Sequence, residues 1–185
     1  MANAESTRNK LIFAERRLRD IRHLNNGKLE GANGQERQQL IQEFFFHLVG
    51  SIDFLLQVVN QERHLNLDEE DVNIREICAR LSNTDPIKPL LQQLHPNPKK
   101  VPLTGSVYSE ENNHLRIMML RHKVVHQGDN PFHLRMMKDL PNCSLFLNPT
   151  CPKSKGSKYH VFDELDIFLK LVWGKSEKVL KLLGK

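Results

Sequence analysis

Residues 36–63, ERQQLIQEFFFHLVGSIDFLLQVVNQER, decide the fold class. Ile41, Phe45, Leu48, Ile52, Leu55 and Val59 recur at spacings of three and four, which puts them on one face of an α-helix. Phe44, Val49, Leu56 and Val58 widen that face beyond the stripe of a surface helix, so the segment is expected at the centre of a bundle. Phe46 and Phe54 point away from the broad face and read as a second packing surface, an interface between copies of the chain. Gly50 beside Ser51 allows either a close helix approach or a slight bend. His47 and Asp53 are positioned to face a later helix, and Glu43 to pair with Arg121, although packing and solvent roles are commoner for such residues.

Toward the N-terminus, Leu11, Ala14, Leu18 and Ile21 form an apolar seam, predicting a helix over much of residues 5–24. Arg16, Arg17, Arg19 and Arg22 make it basic, suited to RNA or simply to water. Asn25-Asn26-Gly27 and Gly31-Ala32-Asn33-Gly34 mark a break before the central helix.

Beyond the central helix, residues 64–105 read as an irregular helical insert within one domain spanning residues 1–185. Asp68 or Asn73 caps short pieces carrying Ile74, Ile77 and Leu81, and Asp85-Pro86 opens another helix with Ile87, Leu90, Leu91 and Leu94. A short helix is expected around Phe132, Leu134, Met136 and Met137. Between Pro141 and Tyr159 the runs SLFLN and KYHVF suggest a small β-hairpin around a lysine-rich loop. A last helix is expected from Asp163, as its cap, to residues 180–183, with Leu165, Phe168, Leu169, Val172 and Trp173 facing the core. The expected class is therefore all-α: a compact up-and-down helical bundle with an irregular middle and a hairpin before the last helix.

The composition is that of a soluble globular chain, with 39% hydrophobic and 26% charged residues. A net charge of +5 modestly favours an acidic partner such as RNA, and a solvated basic surface explains it as well. The N-terminal MANAESTRNK lacks an apolar signal core, and no run reads as membrane length, so a cytoplasmic chain without a membrane partner is expected. Cys78, Cys143 and Cys151 are widely spaced and odd in number, which fits reduced thiols.

The chemistry-bearing stretch is LRIMMLRHKVVHQG, residues 115–128. Ser106 or Ser109 can cap this helix, and Glu110-Glu111 suit its first turns. On a helical wheel Arg121 falls in an apolar arc near Ile117 and Met118, whereas Arg116 and Lys123 share a thin polar strip. An arginine in such an arc needs a partner, an interface or a cleft. His126 lies about 140° from Arg121, so the two converge only through arginine length, fraying near Gly128, or a second copy of the helix. His114 precedes Arg121 by seven residues on nearly the same side, an accessory phosphate or RNA contact or a structural histidine. His122 and His126 can face together, yet HKVVH lacks the glutamate of HExxH and a third ligand, so no metal site is assigned. No Walker A loop, dinucleotide fingerprint or nucleophile elbow occurs, and no cofactor is expected.

The R-x4-H spacing of Arg121 and His126, with polar His122 beside the arginine, resembles the HEPN superfamily of helical ribonucleases and toxins. The resemblance covers about 120 to 150 residues by element order. His122 departs from the asparagine or aspartate common beside the family arginine. It implies metal-independent endoribonuclease chemistry in a composite homodimer cleft, producing 2′,3′-cyclic phosphate ends. Arg121 and His126 would be catalytic, with His122, His114 and Lys123 as accessory or RNA-binding residues. It further implies RNA as substrate, and a nucleotidyltransferase-like antitoxin or other regulatory protein as partner, in a toxin–antitoxin or defence setting. The alternatives are a noncatalytic RNA-binding or regulatory module of the same type and a structural protein-interaction domain.

Overall fold

The apolar period of residues 36–63 folds into one helix spanning Gly34–Glu62, which is α2 in chain order. All ten of its core-face residues, from Ile41 to Val59, are buried. The computed structural model describes residues 3–26, 34–95, 110–121 and 161–185. The other helices are α1 (Ala4–Asn26), α3 (Ile74–Arg80), α4 (Ile87–Leu94), α5 (Glu110–Arg121) and α6 (Val161–Leu182). A single 3-10 turn, Glu69–Asp71, precedes α3, and no strand occurs among the described residues. The chain is thus an all-α helical bundle.

Side-chain contacts fix the helix directions. Arg17 meets Glu43 at 2.9 Å and Phe13 meets His47 at 5.3 Å between ring centroids, so α1 and α2 are antiparallel. Arg8 pairs with Glu177 at 2.9 Å and Arg22 with Asp166 at 3.5 Å, making α1 antiparallel to α6 as well. Phe45 lies 6.2 Å from Phe168, and Glu62 pairs with Lys185 at 3.0 Å, so α2 and α6 run parallel. The three long helices share one core of Leu11, Leu18, Phe44, Phe45, Leu55 and Phe168 with their neighbours. Burying each such side chain contributes about 2 kcal/mol relative to leaving it exposed.

The middle segment joins this core through Ile77, Leu81, Ile87, Leu91 and Leu94. Beyond α2, the Asn60 side-chain amide donates to the Leu67 carbonyl at 2.9 Å and accepts from the Leu67 N–H at 3.1 Å. His64 and Asn66 take left-handed backbone angles in the turn thus closed, with φ of 50° and 54°. Asn73 caps α3 as expected, its side chain accepting from the N–H groups of Arg75 and Glu76. Asp68 makes no capping hydrogen bond, whereas Asp85 accepts from the Ile87 N–H at 2.9 Å.

Two boundaries differ from expectation. α1 continues through Asn25 and Asn26, and Asp163 lies inside α6 rather than at its cap. The expected hairpin, the short helix near Phe132 and the caps Ser106 and Ser109 lie outside the described residues. Within α2, Gln39–Glu62 is long and apolar enough to cross a membrane, contrary to the sequence expectation. Its burial in the bundle accounts for that hydropathy without a bilayer.

Candidate functional site

The arginine of the R-x4-H run is the last described residue of α5, and the helix reaches it through a buried stretch. Asn113, His114, Leu115, Arg116, Ile117 and Met118 are consecutive and all buried. Six residues exceed one full helical turn, so α5 is enclosed on every side at this level. α2, α4 and α6 pack against it.

The one arginine buried in this enclosed stretch, Arg116, has specific partners. Arg116 is 3% exposed; its Nη1 donates to Asn113 Oδ1 at 3.0 Å, and its guanidinium sits 5.3 Å from the Phe168 ring centroid. The sequence reading put Arg116 on a wet strip. Its amide partner and the π-face of Phe168 instead offset the loss of water. His114, expected as an accessory phosphate or RNA contact or as a structural histidine, is 1% exposed.

Lys175 of α6 anchors the first turn of α5. Its Nζ lies 2.7 Å from Glu110 Oε1 and also donates to Gln93 of α4. The hydrogen bond from Lys175 is the main reason the Glu110 carboxyl is held below its ordinary value of 4.5. Glu110–Lys175 and Arg116–Phe168 together make α5 antiparallel to α6. Arg121 therefore lies at the end of the bundle where α6 and α2 begin and α1 finishes, about 7.5 Å along the axis beyond Arg116.

The other residues picked from sequence fall as follows. His122, Lys123 and His126 lie outside the described residues. Glu43 pairs with Arg17 of α1, and His47 packs on Phe13 of α1, so neither faces α5 as expected. The basic run of α1 is largely neutralised. Arg17 pairs with Asp20 and Glu43, Arg19 with Glu15, and Arg22 with Asp166. Phe46 points outward as expected and is 55% exposed, while Phe54 is half-buried. Lys10 Nζ lies 4.7 Å from the Phe46 centroid and 5.7 Å from that of Phe54.

Among the described residues no group of three His, Cys, Asp or Glu side chains could hold a metal ion. Cys78 is a half-buried free thiol whose pKa burial pushes up. A groove of about 350 Å³ between α1 and α6 is lined by Arg22, Asp166, Lys170 and Trp173. Its Arg22 and Lys170 cations both pair with Asp166, at 3.5 and 2.6 Å, leaving little to select a ligand. Sequence reasoning missed the burial of Arg116 and Lys175. The only available signal was that each charge stands among apolar neighbours in its helix. No protein family, curated protein or solved structure was found to match the chain.

Proposed function

We propose that this chain is a HEPN-like endoribonuclease that cleaves RNA without a metal, using Arg121 and His126. The supporting observation is that the R-x4-H run begins on a helix enclosed by an all-α bundle. A rigid helix is a good platform for chemistry that depends on positioning. In the proposed reaction His126 removes the proton from an RNA 2′-hydroxyl. The 2′-oxygen bonds to the adjacent phosphorus while Arg121 neutralises the nonbridging oxygens of the phosphorane. The bond from phosphorus to the 5′-oxygen then breaks, and a protonated histidine, His122 or the partner copy's equivalent, supplies the leaving group's proton. The products are a 2′,3′-cyclic phosphate and a 5′-hydroxyl. Two copies meeting near Arg121 would bring arginine and histidine together despite their angular separation on one helix.

The test is cleavage of labelled single-stranded RNA and tRNA in EDTA, with end-group analysis of the products. Arg121→Ala and His126→Ala should each lower the rate at least about a hundredfold, with helicity and sedimentation unchanged. No cleavage by a folded wild-type dimer across varied RNAs would refute the proposal.

A further inference from the structure

Three large hydrophobic side chains are strongly exposed among the described residues, and two of them, Phe13 at 41% and Phe46 at 55%, belong to one patch. His47 joins them, its ring 5.3 Å from Phe13 and 5.4 Å from Phe46. Each exposed ring carries a cation. Lys10 lies over Phe46 at 4.7 Å, and the Arg16 guanidinium over Phe13 at 5.4 Å. Among the described residues neither Lys10 nor Arg16 has an ion-pair partner, unlike Arg17, Arg19 and Arg22. The patch therefore alternates aromatic faces with positive charges not committed to a carboxylate. Across α1 and α2 it runs from Phe54 through Lys10, Phe46 and His47 to Phe13 and Arg16.

Such a surface selects its occupant. A second copy of the chain docking this patch against itself would bring two cationic patches together, a like-charge juxtaposition. An apolar partner would strip two cations of water without replacing it. A strand with anionic linkages and flat rings satisfies both halves of the patch. A base stacked on an exposed phenylalanine is worth more than the exposed cation–π contact it displaces, and the freed cation is then available to a phosphate.

We infer that the Phe13–Phe46 face of α1 and α2 binds single-stranded nucleic acid, with bases stacking on the two rings and phosphates held by Lys10 and Arg16. This docking does not depend on cleavage at Arg121 and His126, so a DNA probe lacking the 2′-hydroxyl tests it separately. The experiment is fluorescence anisotropy of the full chain with a labelled oligothymidylate of about ten nucleotides, alongside a duplex of equal length.

The single strand should bind more tightly than the duplex. Phe13→Leu and Phe46→Leu, which keep apolar bulk but lose the flat ring, should each weaken binding about tenfold. Lys10→Met and Arg16→Met should each reduce the slope of log affinity against log salt by about 0.7. All four substitutions sit on exposed or half-exposed positions, and circular dichroism checks that each variant is folded. Three outcomes would overturn the inference: no binding at about 100 μM protein in about 50 mM salt, leucine variants that bind like the wild type, or leucine variants that turn a dimer into monomers with DNA binding unchanged.

Discussion

The imidazole of His47 contacts two phenylalanine rings and stands near the cations Lys10 and Arg17. Partial burial is the largest influence on it and disfavours the charged ring; the two cations act in the same direction, and Glu43 opposes them. Its pKa is therefore pushed below the ordinary 6.5. A base with a lowered pKa in the folded state favours the unfolded chain once it must be protonated. Its contribution is complete above the unfolded value and is lost as pH falls through that value toward the folded one. NMR titration should show His47 ionising below 6.5. Lys10→Met should raise that midpoint without restoring it fully, because desolvation remains. A midpoint unmoved by Lys10→Met would mean the cation does not act on the ring. The same surroundings explain why position in α2 did not reveal the role of His47. Its wheel angle said only that it stood beside the apolar face, and the nearest partner was contributed by another helix.

Among the elements, α6 contains a removable weakness. Gly174 is an exposed residue inside the helix, and a Cβ there would meet nothing within 4 Å. Gly174→Ala should raise unfolding free energy by about 1 kcal/mol through helix propensity alone, read from urea denaturation at constant slope. At Gly50 the nearest atoms to an added Cβ are the Lys10 side chain at 3.7 Å or more, an ordinary contact. Close helix approach is therefore not why glycine stands there. The long elements were legible because their signal is redundant: Ile41 to Val59 repeat one period across five turns, and Asn73 has capping chemistry at the right place. α5 was harder. Its helical wheel puts Arg116 on a polar strip with Lys123, as if both faced water. Whether a charge is buried depends on what opposes it, and Phe168 lies about fifty residues further along the chain. The proposed site could be read only as a motif at Arg121 and His126. Spacing in one helix does not say whether the two meet, because the proposal brings them together through a second copy of the chain.

Across the whole molecule, Lys175 ties α4, α5 and α6 together through Gln93 and Glu110. The hydrogen-bonded Glu110 carboxyl has a lowered pKa, so the stability it provides is present above the ordinary 4.5 and lost as pH falls through the depressed value. Glu110→Gln should lower stability at neutral pH and make the acid decline shallower, as measured by urea midpoints from about pH 7 to about pH 3. An unchanged acid decline would show that Glu110 is not responsible for it. The helix directions also bear on the route by which the chain folds. α1 and α2 pair across a short connection, so their contacts close a small loop, whereas Phe45 and Phe168 lie more than a hundred residues apart. The expected outcome of a φ-value comparison is that substitutions between α1 and α2 slow folding, while those at the Phe45–Phe168 seam mainly speed unfolding. On that expectation the Phe45–Phe168 seam sets how slowly the native state opens more than how fast it forms, and α6 would act as the latch of the bundle's kinetic lifetime.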